Sequence, residues 1–325
     1  MDMFKIKNGV LEKYTGTQTE VIVPYGVEEI GAYAFWNSAV EQVRLPESVK
    51  VIRKYAFCGC RELKEIELPD SVTSIGANAF FGTALQRVCL PPNLQELQEG
   101  AFSFSQLQEI SIPKSVTKIE ERTFFYCTQL KRVQLPEGLV SIGYEAFADN
   151  YNLREIHIPA ETKVEGRVFR YCNALADKNG FVVINGMLFQ SPAFYKDYEV
   201  FLPDSVRVIT SGCIDVRWEI DGVIWARNRQ ELWDAKDKRV CSVVHIPASV
   251  ERIEPFAFAG DILQIVSESE AEFGSFSLDG CEKLQTLTLR EGTAVSSTMF
   301  GFGEEGRARF EKLEINYQKA LSKKE

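Results

Sequence analysis

The cysteines are the residues best able to do chemistry in this sequence, and there are eight of them. An even number would allow four disulfides, but half of them share one position, three residues before a leucine: Cys60, Cys127, Cys172 and Cys281. A shared position predicts a row of small buried side chains. Cys58 and Cys60 form a C-x-C pair, which is no zinc spacing without a second pair. We therefore expect eight free thiols and a reducing compartment, with Cys89 on an exposed face where a modifiable thiol is the alternative.

The two histidines, His157 and His245, each stand two residues before a proline. Four repeat slots separate them, roughly 19 Å at the spacing of parallel strands, so one metal ion could not reach both. Cys241 and His245 make only half of a metal site. The sequence also lacks a Gly-rich phosphate loop, G-x-S-x-G, H-E-x-x-H and a paired C-x-x-C. We predict no catalytic residue, no metal and no cofactor, and hence no enzyme.

Composition excludes two classes of partner. The chain has 325 residues, 37 basic against 46 acidic, with a net charge of -9. This balance argues against nucleic acid and against an anionic membrane surface, and no apolar run is long enough for membrane insertion. The first residues, MDMFKIKNGV, do not form a signal peptide. The chain as written is expected to be cytoplasmic; the alternative is a cell-surface or secreted protein whose leader has been removed.

The elements that position these residues repeat along the chain. Prolines recur at Pro24, Pro46, Pro69, Pro91, Pro113, Pro136, Pro159, Pro203 and Pro247. The steps are 22 or 23 residues, except for the last two, which are 44 and are interpreted as two slots each. A period near 22 falls within the range of leucine-rich repeats.

One repeat, LPDSVTSIGANAF (68–80), shows how each unit should fold. Ile66 and Leu68 are two residues apart and share one face of a short strand. Pro69 ends that strand because it cannot donate to a sheet. A phenylalanine then enters the core, at Phe35, Phe57, Phe80, Phe102, Phe124, Phe147, Phe169 and Phe258. Because no unit can bury its own apolar face, stacked units must form a solenoid with a continuous core.

The recurring pattern LPxSVxxIGxxAFxxCxxLxxI, clear from about Val21 to Cys172, resembles the BspA-like branch of leucine-rich repeats. It returns at Leu202 and at Ile246. The resemblance implies an α/β fold class: a right-handed leucine-rich-repeat solenoid with a parallel β-sheet on the concave face, short irregular or 3₁₀ segments on the convex side and little regular helix. It also implies kinship with bacterial surface proteins linked to adhesion. The asparagine ladder of other leucine-rich repeats is replaced by Cys, Thr, Ser or Asn.

A second pattern interrupts the repeats. FKIKNGVLEKY (4–14), FVVINGMLFQS (181–191) and WEIDGVIWARN (218–228) alternate apolar residues around Asn-Gly or Asp-Gly, which predicts two-residue hairpins. We expect one solenoid over 1–325. It would comprise a hairpin cap (1–22), regular repeats (23–175), irregular repeats with hairpins (176–245), C-terminal repeats (246–316) and a charged tail (317–325).

Charged residues alternate in sign four residues before the prolines: Glu65, Arg87, Glu109, Arg132 and Glu155. Neighbouring strands would place opposite charges side by side, where they stabilise each other. We interpret the row as self-neutralising, and a partner-binding stripe remains the alternative.

Aromatic residues beyond the core row are the candidate contact residues. One group follows the core phenylalanines: Trp36, Phe81, Phe104, Phe125, Tyr126 and Tyr171. Another occupies an irregular segment rich in arginine: Trp218, Trp225 and Trp233. Exposed aromatics and arginines mark interfaces, although rings packed under the next turn, or a hairpin anchored by its own tryptophans, would look alike. We predict a monomeric, non-catalytic protein–protein interaction module; the alternative is a secreted or surface adhesin that binds host matrix protein or glycan.

Overall fold

A computed structural model describes residues 3–191, 199–215, 243–260 and 262–319. The chain divides into two compact units, Met1–Ala176 and Asp177–Glu325, which we describe separately. That the two units continue one solenoid stays a prediction.

In the first unit, the segments before the prolines form the main sheet. Its strands are β3 (Glu20–Ile22), β5 (Gln42–Arg44), β7 (Glu65–Glu67), β10 (Glu109–Ser111), β12 (Arg132–Gln134) and β14 (Glu155–Ile156). All pairings are parallel and in register, for example Val21 to Val43 to Ile66. Residues 86–90, which hold the main-sheet position between β7 and β10, form no strand, and the pair Pro91–Pro92 follows them. The main sheet is therefore interrupted between β7 and β10.

The segments after the prolines form a second parallel sheet from very short strands, which is interrupted after the fourth of them. These are β4 (Glu29–Ile30), β6 (Val51–Ile52), β8 (Ser74–Ile75), β9 (Glu96–Leu97), β11 (Lys118–Ile119), β13 (Ser141–Ile142) and β15 (Lys163–Val164). The second residue of most of them is a fully buried isoleucine, such as Ile52 or Ile75. A single 3₁₀ turn, Asn173–Leu175, occurs in the described part of this unit. The fold class of a leucine-rich-repeat solenoid is therefore confirmed.

The predicted phenylalanine row is the centre of the core. From Phe35 to Phe169 the rings stack one on the next, with centroids 4.8 to 5.8 Å apart and planes within 13°. All are buried. Burying each ring contributes about 1.5–3 kcal/mol, and the offset stack adds to it.

In this unit the predicted cysteine row lies three residues after the core phenylalanines, and its members are buried except for Ser38, which is partly exposed. The row contains Ser38, Cys60, Thr83, Ser105, Cys127, Asn150 and Cys172. Each thiol donates to the phenylalanine carbonyl of the preceding turn, as Cys60 Sγ does to Phe35 O at 2.9 Å. The Asn150 amide donates to the carbonyls of Phe124 and Phe147. The mixed row thus gives these phenylalanine carbonyls a side-chain donor within the core.

Two of the three predicted hairpins are confirmed. Strands β1 (Phe4–Lys7) and β2 (Val10–Tyr14) pair antiparallel, and β2 continues in parallel to β4. The turn residues Asn8 and Gly9 have φ values of 51° and 75°, which a two-residue turn of this kind requires. The second unit starts the same way with β16 (Val182–Ile184) and β17 (Met187–Gln190). The third hairpin, at 218–228, lies outside the described residues.

The main sheet of the second unit contains β18 (Glu199–Phe201), β21 (Val243–Ile246), β24 (Gln264–Ser267), β25 (Thr286–Arg290) and β26 (Glu314–Gln318). Other strands are β19 (Val208–Ile209), β20 (Ile214–Asp215), β22 (Arg252–Ile253) and β23 (Phe258–Ala259), and one helix, α1 (Glu304–Lys312), precedes β26. Because β18 pairs directly with β21, the interpretation of the 44-residue step from Pro203 to Pro247 as two slots is wrong. The step spans one turn of this sheet, and the extra residues come between β20 and β21 in the chain.

Candidate interaction surface

Each turn of the first unit places two residues in the left-handed region of φ, one on either side of the core phenylalanine. Those before it are Tyr33, Tyr55, Asn78, Gly100, Arg122, Glu145 and Arg167, and those after it are Asn37, Gly59, Gly82, Phe104, Tyr126, Asp149 and Tyr171. We call the second set the post-Phe row. Only glycine adopts this conformation without cost, and asparagine and aspartate tolerate it. The bulky members are therefore exceptions.

The turns are locked to one another at these positions. The amide of Phe104 donates to the carbonyl of Phe125 on the next turn at 2.8 Å, and the amide of Tyr126 donates to that of Ala148 at 3.0 Å. The backbone that presents the exposed rings is thus held by hydrogen bonds on each turn.

Five rings from four consecutive turns form one contacting group, which we call the aromatic surface: Phe81, Phe104, Phe125, Tyr126 and Tyr151. Phe104 is central. Its ring centroid lies 5.0 Å from Phe81, 5.5 Å from Phe125 and 4.8 Å from Tyr126. Tyr126 contacts Tyr151 edge to face at 6.1 Å. Phe104 is 38% exposed, and the other rings are partly buried by their neighbours.

The structure brings together four of the six aromatics predicted after the core row, namely Phe81, Phe104, Phe125 and Tyr126. Trp36 lies two turns away, because Cys58 occupies the equivalent position between it and Phe81. Its side chain, 57% exposed, meets Tyr33 edge to face at 6.3 Å. Tyr33 in turn stacks on Tyr55 at 5.0 Å, so Trp36 belongs to a separate patch.

The sixth, Tyr171, stands beside two arginines and a buried acid. Arg170 lies over the Tyr171 ring, 4.5 Å from its centroid, and donates to the Tyr171 hydroxyl at 3.0 Å. The same guanidinium is 3.7 Å from Glu145, which also pairs with Arg122 at 2.9 Å. Glu145 is almost fully buried, so two cations compensate the desolvation of its charge.

Asp149 and Tyr151 form the most perturbed pair in this region. The Tyr151 hydroxyl donates to Asp149 Oδ1 at 3.0 Å. Burial raises the pKa of Asp149, against the opposing effects of the Tyr151 hydrogen bond and Arg170. Burial, together with the Asp149 charge, raises the pKa of Tyr151 as well. A titratable pair of this kind beside exposed rings marks a candidate functional site.

The sequence analysis missed Tyr151, Asp149 and the ion pairs of Glu145. A signal exists for one of these ion pairs: Arg122 and Glu145 hold the same position on successive turns, with opposite sign. That is the pattern recognised before the prolines, at another position of the repeat.

The charged row of the main sheet is largely neutralised by its own members, as expected. Arg132 Nε donates to Glu155 at 2.7 Å, and Arg87 lies 3.9 Å from Glu109. The hydrogen bond from Arg132 lowers the pKa of Glu155. Glu65 instead accepts from Gln42 at 3.0 Å. A ligand on this face would have to displace interactions that are already made.

A shallow groove of about 360 Å³ lies on the same sheet where it is interrupted, lined by residues that include Arg44, Glu67 and Cys89. Cys89 is exposed, as predicted. Seven cysteines among the described residues are free thiols, and Cys241 lies outside them. His157 is exposed, whereas His245 stacks on Phe201 at 4.1 Å and stands 3.2 Å from Glu199.

The second unit has exposed rings of its own. Phe256 and Phe276 take the left-handed position before the core residue, 5.3 Å apart, and Phe302 meets Phe276 edge to face at 4.8 Å. The predicted contact residues Trp218, Trp225 and Trp233 lie outside the described residues.

Within the described ranges, no three His, Cys, Asp or Glu side chains come close enough to hold a metal ion. None of the helices described is long and apolar enough to cross a membrane.

Comparisons with known proteins agree with the architecture. No match was found among curated proteins. A leucine rich cell surface protein from Faecalibacterium prausnitzii is similar in structure, with 21% identity, a TM-score of 0.54, and 97% of this chain and 91% of that one covered. A leucine-rich repeat protein from Bacteroides ovatus has 20% identity and a TM-score of 0.53, over 93% and 72%. At these identities the likeness shows the fold.

The family follows from the sequence repeats themselves. The model of the BspA type leucine rich repeat region matches six copies, over residues 3–103, 50–176 and 238–304. Those ranges include most of the chain, with the phenylalanine row, the mixed thiol and hydroxyl row and both parallel sheets of the first unit. The chain belongs to the BspA type leucine-rich-repeat family.

Proposed function

We propose that this chain is a non-catalytic protein-interaction module and that its aromatic surface contacts the partner. The observation that supports this is the group of five contacting rings around Phe104. Tyrosine and arginine dominate the energetics of protein interfaces. Aromatic rings provide a large contact area at small cost in conformational entropy.

Backbone geometry favours this surface as well. Phe104 and Tyr126 occupy left-handed positions where a non-glycine residue costs about 1–2 kcal/mol. Two other turns have a glycine at the same position, Gly59 and Gly82, which adopts this conformation without strain. Retaining large rings at strained positions is consistent with a role outside the core.

The main sheet is the less favourable surface for a partner. The Arg132 and Glu155 side chains make a bidentate pair, with contacts of 2.7 and 3.1 Å. A partner would need to replace these contacts before it gained any of its own. A partner that binds the aromatic surface would displace only water from the exposed parts of the rings and would break no hydrogen bond of this kind.

The test is affinity capture from cells that express the protein naturally, with wild type beside the double variant Phe104→Gly/Tyr126→Gly. Glycine suits the left-handed φ of both positions, so the rings are removed without strain. The matched control is Asn37→Gly, which changes a residue at the same repeat position outside the aromatic surface. Circular dichroism should show all three proteins equally folded.

The proposal expects one protein to be enriched by wild type and by Asn37→Gly, and to be lost with the double variant. A partner captured equally well by all three would place the contact elsewhere. The irregular segment would then be examined with Trp218→Ala, Trp225→Ala and Trp233→Ala.

A second candidate function is adhesion at the cell surface, by the same rings but toward matrix protein or glycan. The observation that favours this candidate is that the similar structure from Faecalibacterium prausnitzii is described as a cell surface protein. The two candidates differ in where the chain resides. Protease treatment of intact cells should remove the protein if it is exposed outside, and should leave it intact if it is cytoplasmic.

A further inference from the structure

Strand β26 is an open edge of the main sheet in the second unit. It pairs in parallel with β25 over five residues, from Thr286 with Glu314 to Arg290 with Gln318. On its other side it pairs with no strand in the described part of the chain. Its outward N–H and C=O groups therefore form a template for another strand.

The core is also uncovered at this end. Ile315 and Tyr317 are in register with Leu287 and Leu289 and so face the same way. The two leucines are fully buried, whereas Tyr317 is 54% exposed and Ile315 is half-buried. In the first unit the equivalent role falls to the hairpin β1–β2, whose Tyr14 stacks on Phe35 at 5.0 Å. Solenoids need such a cap.

A segment that covers Ile315 and Tyr317 must bring apolar side chains and free backbone groups of its own.

We propose that the occupant is a second copy of this chain, with β26 pairing antiparallel to β26 across a two-fold axis. The register centred on Asn316 uses all five residues. It sets Glu314 opposite Gln318, Ile315 opposite Tyr317 and Asn316 opposite itself. Opposed pairs therefore contain no like charges, and the two Ile–Tyr pairs cover each other's exposed core face.

This arrangement closes on itself. An isologous contact uses the same edge of both copies, so a dimer leaves no further edge of this kind. A parallel addition would instead leave one edge open on every new copy and would give a filament. The proposal concerns a surface separate from the aromatic surface, and the two can fail independently.

The test is sedimentation of the full chain, wild type against Asn316→Lys and Asn316→Asp. Each substitution sets two like charges opposite each other at the two-fold axis. Gln134→Lys is the matched control, because it adds the same charge at an exposed position of β12, inside a sheet of the first unit. Wild type and the control should sediment with twice the 36.8 kDa mass of one chain.

Each Asn316 variant should dissociate at concentrations at least roughly fivefold higher than wild type, and an equimolar mixture of the two should restore the dimer. The restored mixture excludes unfolding as the cause of dissociation. A wild type that sediments as a monomer would overturn the proposal. A dimer that both variants leave intact would overturn it too, since the contact would then lie on another surface.

Discussion

At the scale of single residues, the position after the core phenylalanine decides what the molecule presents. Gly59 and Gly82 add no side chain there, whereas Phe104, Tyr126 and Tyr171 have the same left-handed φ and add an aromatic ring. Two chemical consequences can be measured on individual side chains of the first unit, one for a carboxyl group and one for the thiols.

The first concerns Asp149, whose pKa is raised by burial from its ordinary value of 3.8. The folded state then holds this proton more tightly than the unfolded state, so the free energy of unfolding falls as pH rises above 3.8 through the raised pKa. Asp149→Asn removes the buried charge, can still accept from Tyr151 and tolerates the left-handed φ. We expect it to be more stable than wild type at pH 7.

Urea denaturation between pH 3 and 7 measures this difference, which should close as pH falls below 3.8. Asp70→Asn, at an exposed site, is the control for loss of a charge and should change nothing. A deficit in the stability of Asp149→Asn at pH 7 would show that attraction to Arg170 outweighs burial.

The second concerns the thiols. Burial raises the pKa of Cys127 to about 11, and it raises that of Cys172 further. Because the thiolate is the reactive form, both should resist a disulfide reagent in the folded protein. Among the described cysteines Cys89 is the exposed one, so in a chain that also carries Cys241→Ser it should react first, in a phase that Cys89→Ser abolishes. Rapid labelling of the buried row in native protein would contradict the fold.

At the scale of the elements, the proline period predicts the main sheet because proline ends each strand at a fixed point. The same pattern does not reveal that SVTSIG forms a second sheet, since only two residues of each segment pair. The step of 44 residues was misinterpreted because spacing alone cannot distinguish an extra turn from an insertion. Helix α1 lacks a side-chain cap, and its only signals in the sequence are Glu304 and Glu305 in the first turn and Arg309 and Lys312 in the last.

Two phenylalanines of the same turn should differ in how much they contribute to stability. Phe102 is fully buried in the stacked row, whereas Phe104, two residues later, is partly exposed. Phe102→Ala should lower the free energy of unfolding by about 3–5 kcal/mol. Phe104→Gly should change it by less than about 1 kcal/mol, because relief of backbone strain offsets the lost ring contacts. Chemical denaturation of the two variants measures both values, and similar losses would mean that Phe104 belongs to the core.

At the scale of the whole molecule, sequence predicts the core of this chain better than its surface. The phenylalanine row can be predicted from the sequence because one residue type recurs at one position of the repeat. The aromatic surface is predicted only in part, because the contact between Tyr151 and Asp149 depends on side-chain directions rather than on a shared repeat position. Trp36 and Phe81 were grouped by adjacency to the core row, yet the smaller Cys58 between them separates the patches.

The central claim, that the aromatic surface rather than the charged main sheet contacts the partner, is tested most directly by one affinity comparison. Binding of the captured partner would be measured by calorimetry for Phe104→Gly/Tyr126→Gly and for Arg132→Gln/Glu155→Gln. We predict that the first variant loses at least tenfold in affinity, about 1.4 kcal/mol, while the second binds as wild type does. The reverse result, with affinity lost only on removing the Arg132 and Glu155 charges, would contradict the claim and assign binding to the main sheet.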